Sequence, residues 1–238
     1  MVNSKEQAKE LEARVLDKSG ESGIIDTTLK MSASIQQPPN FSKYAVKEDH
    51  ETVERVKNTI IEKLGIPKSD VDLTGIKNAD VLEPFVNQLV RIQKETEMSF
   101  PAIAATEIID GDPCCIAGFK PFENRLYISS RFFNSKEALL DTMKDWVQKG
   151  VLPKQAKTIR YLAEHEAAHI RIPEAVLNNS EALNIYRAFK NSSYLNQNSI
   201  SSIYEFYADS VACHRISPSK LPKEMIKAID YLEKEGVS

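Results

Sequence analysis

The chain has 238 residues, enough for one domain or two small ones with a sizeable core. With 42% hydrophobic and 27% charged residues and a formal net charge of -3, the composition is that of a globular protein. It gives no support to nucleic-acid or anionic-membrane binding, and no apolar run approaches the ~18 residues of a membrane span.

Residues 1–47 read as an N-terminal arm or linker. A short charged helix is expected over residues 4–17, with a thin stripe of Ala8, Leu11 and Val15. Ser19 to Gly23 and Gln36 to Asn40 then interrupt the chain. Met1 to Asp17 lacks the apolar stretch of a secretory signal. Three cysteines, Cys114, Cys115 and Cys213, without CxxC spacing read as packing residues in a reducing compartment.

The body is expected over residues 48–238. Helices are predicted over 48–64 and 78–97, where apolar residues recur every three or four positions. The period then shortens. Residues 102–109, 114–119 and 125–129 read as strands separated by Asp110-Gly111-Asp112-Pro113 and Lys120 to Asn124, giving a small, mostly antiparallel sheet. The run from Asn124 to Ser129 is either an exposed edge able to pair with an extended peptide or a plain core hairpin. Helices follow over 135–149 and 157–171, then in a segment carrying Ala175 to Phe189, then over 201–215 and 222–235. The fold class is α+β, with helices plus sheet over 48–156 and helices alone over 157–238.

The chemistry concentrates in the helix at 157–171, which contains His165-Glu166-Ala167-Ala168-His169. Residues four apart share a helix face, so both imidazoles can meet one metal ion. Glu166 lies about 100° further round, where a carboxylate can take a proton from water activated by zinc. Two of the chain's four histidines fall in this pattern. Ile172 and Ala175 exclude the extended motif that adds a third histidine.

The third ligand must come from elsewhere. Glu205 and Asp209 share a face of the 201–215 helix, so one can bind the ion while the other orients a ligand histidine. Glu205 is the expected ligand, with Asp209 and His214 as rivals. Candidates for a donor to a developing oxyanion are Tyr194, Tyr204, Tyr207 and His214.

His165-Glu166-x-x-His169 followed by Glu205-Phe206-Tyr207-Ala208-Asp209 resembles the gluzincin metallopeptidase pattern, and is similar to the anthrax lethal factor-type peptidase domains. Residues 66–170 also resemble C-terminal domains of minor head proteins of Gram-positive phages and prophages. The resemblance implies a zincin-like fold. It implies zinc on His165, His169 and Glu205, Glu166 as general base, and Asp209 supporting a histidine.

The expected function is zinc-dependent endopeptidase action on a protein or peptide substrate. The expected location is cytoplasmic or virion-associated, with a phage head or other protein partner reached through residues 1–47. A phage structural protein with a structural zinc site, and a zinc-dependent effector or toxin domain, are the alternatives.

Overall fold

The computed structural model describes residues 37–171, 180–189, 196, 199 and 201–235. The expected helix at 4–17, most of the arm, and Tyr194 lie outside them. From the arm, Phe41 packs edge-to-face on Phe132 at 5.0 Å, and the Arg131 guanidinium lies over its ring at 4.6 Å.

The architecture is α+β. Helix α1 (His50–Lys63) begins at Asp49, whose side chain accepts the Thr52 N–H, and buries Val53, Val56 and Ile60. It packs on α2 (Leu82–Thr96), whose Leu82, Phe85, Val86 and Leu89 are buried. Between them a two-residue strand, β1 (Val71–Asp72), has no counterpart among the expected elements. Strands β2 (Ala102–Thr106), β3 (Ala117–Lys120) and β4 (Arg125–Ser129) complete a four-stranded sheet.

The sheet corrects the expectation of mostly antiparallel pairing. Its order is β1-β2-β4-β3; β1–β2 and β2–β4 are parallel, and only β3–β4 is antiparallel. Burial explains the order. Leu126 and Ile128 of β4 are fully buried, whereas every residue of β3 is half-buried. The strand with the most to bury therefore takes the interior slot, and β3 takes the edge. The run from Asn124 to Ser129 is accordingly not the free edge.

A single turn, α3 (Ser130–Phe133), follows β4 directly and inserts Phe132 and Phe133 into the core; Phe133 meets Phe85 edge-to-face at 5.2 Å. Helix α4 (Lys136–Gln148) is capped by Ser135, and its Trp146 is buried. Then come α5 (Ile159–Arg171), α6 (Ser180–Phe189), α7 (Ile203–Ile216) and α8 (Lys223–Glu235). No described helix is long and apolar enough to cross a membrane.

Helix α5 is central. It packs on α2, on β3 and most extensively on α7. Small buried side chains on the two helices, Ala163 and Ala167 on α5 and Ala208 and Ala212 on α7, let their backbones approach closely. Two apolar clusters adjoin here. The larger runs from α1 to α5; the smaller gathers Phe206, Tyr207, Ala208 and Val211 with Met225, Ile229 and Leu232.

A buried polar knot ties the same helices. Glu164 on α5 is 2% exposed. Gln88 of α2 donates to it at 2.8 Å, Arg215 of α7 lies 3.4 Å away, and Arg160 lies 3.8 Å away. Burial pushes the Glu164 carboxyl up from its ordinary pKa, against the pull of the two guanidiniums and Gln88. Removing one partner of such a group leaves an undercompensated buried charge. Arg215→Ala is expected to cost about 3 kcal/mol of stability, measured as a lower urea midpoint; an unchanged midpoint would show that Arg160 and Gln88 suffice.

Candidate metal centre

The site is built from α5 and α7. Thr158 starts α5: its hydroxyl accepts the Tyr161 N–H at 3.2 Å. One and two turns beyond Tyr161 stand His165 and His169. Ser202 starts α7, its hydroxyl accepting the Glu205 N–H at 3.1 Å, which places Glu205 in the first turn. A carboxylate there is favoured by the helix dipole.

Three donor groups converge. His165 Nε2 and His169 Nε2 are 3.1 Å apart. Glu205 Oε2 lies 3.4 Å from His165 Nε2, and Glu205 Oε1 lies 3.4 Å from His169 Nε2. Among the described residues, His165, His169 and Glu205 are the group of histidine, cysteine and acidic side chains close enough to hold one metal ion. A tetrahedral ion with bonds of ~2.0–2.1 Å keeps its ligands about 3.3–3.4 Å apart. The two histidine–carboxylate spacings, each to a different Glu205 oxygen, are at that length, and the Nε2–Nε2 spacing is slightly shorter.

The electrostatics favour a cation at the same point. Burial alone would lower the His165 pKa, yet Asp209 and Glu205 together hold it well above the ordinary histidine value. Glu205 is likewise held well below the ordinary carboxylate range, because the two imidazoles outweigh the cost of burial. A field that stabilises positive charge on a buried imidazole also stabilises a metal cation.

The two carboxylates of α7 divide the work between them. Asp209, one turn beyond Glu205, turns to the other ring nitrogen of His165, with Oδ1 lying 2.9 Å from Nδ1. The two atoms are in close contact, short of the alignment of an ideal hydrogen bond. Its position leaves Nε2 of His165 facing the cluster.

Glu166 is 3% exposed, and its Oε2 has no hydrogen-bond partner among the described residues. Burial pushes its pKa up, while His165 and His169 pull the other way. A buried carboxyl with a free oxygen beside a cation site is suited to exchanging a proton with water.

Of the remaining candidates, Tyr194 lies outside the described residues, and Tyr207 and His214 have partners away from the cluster. Tyr207 is two residues after Glu205, about 200° round the helix. It is fully buried, and its hydroxyl donates to the Ala182 carbonyl at 2.8 Å, so its proton is already used. That bond directs the Tyr207 hydroxyl to α6 rather than to the cluster. His214 stands nine residues beyond Glu205 on α7, with Asp230 at 3.7 Å, and does not join the ligand group. Tyr204 is half-buried, and burial raises its pKa; no contact places it at the cluster.

Sequence reasoning missed the partners of Asp209. Tyr161 donates its hydroxyl to Oδ1, and Ser199 donates to Oδ2 at 2.6 Å. Tyr161 carried a usable signal, since it lies one turn before His165 on the same face of α5. Ser199 carried none, because it lies ten positions before Asp209 and outside the α7 helix whose periodicity places that carboxylate.

No family model, curated protein or solved structure matches the chain.

Proposed function

We propose that the chain is a zinc-dependent endopeptidase. The observation carrying this reading is the convergence of His165, His169 and Glu205 at tetrahedral-edge spacings, with the buried carboxyl of Glu166 alongside. Nitrogen and oxygen donors in this number and spacing suit zinc. Held there, zinc supplies a Lewis acid that polarises a carbonyl and acidifies water.

The protein's own groups account for the rest. His165, His169 and Glu205 hold the cation, and Asp209 orients His165. Glu166 accepts a proton from the attacking water and returns it to the nitrogen of the leaving amine. A structural site usually has four protein ligands, and a catalytic one three. Three donors are seen among the described residues. The side chains of His165, His169 and Glu205 are 12%, 17% and 29% exposed, which leaves an approach from solvent. The edge strand β3, on which α5 packs, offers backbone groups to an extended peptide.

The test is metal analysis of protein purified without added zinc, followed by a peptide-library cleavage assay. About one zinc per chain is expected, with cleavage lost on chelation and restored by zinc. Bound zinc without cleavage of any peptide would instead support a structural role for the ion, as in the phage structural alternative. A chain that does not retain zinc would end the metallopeptidase reading.

A further inference from the structure

We propose that Tyr161 and Ser199 are positioning residues that set the orientation of the ligand His165 by clamping Asp209 between them. The inference deepens the metallopeptidase reading and rests on it for the consequence to metal binding, but not for the geometry.

Asp209 is buried, and its carboxylate is engaged on both oxygens. Oδ1 receives the Tyr161 hydroxyl and faces His165 Nδ1. Oδ2 receives the Ser199 hydroxyl at 2.6 Å, with Asn196 Nδ2 more distant at 3.5 Å. Asn196 also braces Ser199: its Nδ2 donates to Ser199 Oγ at 2.6 Å, and its Oδ1 accepts the Ser199 N–H at 3.0 Å.

These donors come from different parts of the fold. Tyr161 belongs to the first turn of α5, whereas Asn196 and Ser199 precede α7. An aspartate side chain turns about only two torsions. A donor on each oxygen fixes both the position and the plane of its carboxylate. Oδ1 is thereby held at Nδ1, which favours the N–H on that nitrogen and leaves the Nε2 lone pair for a metal ion.

The Tyr161 ring has a separate task. Its centroid is 6.0 Å from that of His165, with 30° between the ring planes. Tyr161→Phe keeps this packing and removes only the clamp, and Ser199→Ala likewise removes one donor and little volume. Both substitutions leave a buried carboxylate short of a partner, so some loss of stability is expected whatever the role. Stability therefore does not discriminate, and two other readings do.

The first uses metal-free protein. Long-range 15N–1H spectra report both ring nitrogens of His165. In the wild-type chain the Nδ1 proton is expected downfield, held against Asp209 Oδ1; in Tyr161→Phe and Ser199→Ala it moves towards the position of a free imidazolium. Identical His165 shifts in all three proteins would overturn the proposal, whether or not the chain binds zinc.

The second reading is the zinc dissociation constant, determined by competition with a chromophoric chelator. Asp209→Asn is expected to weaken binding by about 10–100-fold, as for other groups that orient a metal-binding histidine. Tyr161→Phe and Ser199→Ala, acting one step further out, are expected to weaken it by roughly 3–10-fold. In the Asp209→Asn background the same changes should have less than about a twofold further effect, because the group they act through is gone. An equal loss in both backgrounds would overturn the clamp. A wild-type chain that binds no zinc would sink the peptidase reading, while the His165 spectra would still decide this one.

Discussion

Glu166→Gln is expected to lower peptide cleavage by about 10³-fold while leaving one zinc bound per chain. General acid–base groups contribute roughly 10²–10⁴-fold to rate, and the amide keeps the size and shape of the side chain without its basicity. Glu166 stands outside the ligand triangle: the donors that converge are the two Nε2 atoms and the Glu205 carboxylate. The metal site should therefore survive the change. The measurement pairs kcat/KM on a cleaved peptide with zinc analysis of the same sample. A variant that cleaves at the wild-type rate refutes the proton-transfer role. One that loses zinc as well as activity would place Glu166 among the groups that hold the ion.

Glu205→Ala is expected to weaken zinc binding by about 10²–10³-fold. Four-ligand zinc sites are worth ~10–16 kcal/mol, or about 2.5–4 kcal/mol for each ligand. Each 1.4 kcal/mol is a tenfold change in affinity. The fold should tolerate the change, because the Glu205 side chain is 29% exposed and the start of α7 is secured by Ser202. Glu205→Gln, which keeps the volume, should weaken binding in the same direction through loss of charge. The measurement is again chelator competition. Affinity within about twofold of wild type in both variants would remove Glu205 from the ligand set, and with it the three-donor site.

Much of the α-helical part was readable because a helix repeats its faces at a fixed interval. His165 and His169 are one turn apart, as are Glu205 and Asp209, so the faces could be assigned before any contact was known. The spacing could not say which carboxylate would meet which nitrogen. That depends on where α7 begins, and Ser202 sets it by capping at Glu205. The sheet was less legible for a different reason. Turn residues mark where strands end, but strand order follows from the competition to bury side chains. Leu126 and Ile128 put β4 in the interior, between β2 and β3, and so made β2–β4 parallel. Glu164 gave no advance signal either. Its burial depends on Gln88 and Arg215, which lie far away in sequence.

Glu205 lies 40 residues after His165, and that separation has a consequence for the unfolded chain. An ion held by both ends closes a loop of that length. In the chain-entropy description used for covalent bridges, closing such a loop removes about 4 kcal/mol of configurational freedom at 25 °C. Zinc would therefore act on this protein partly as a reversible staple, restraining the whole stretch between α5 and α7 as well as the atoms it touches.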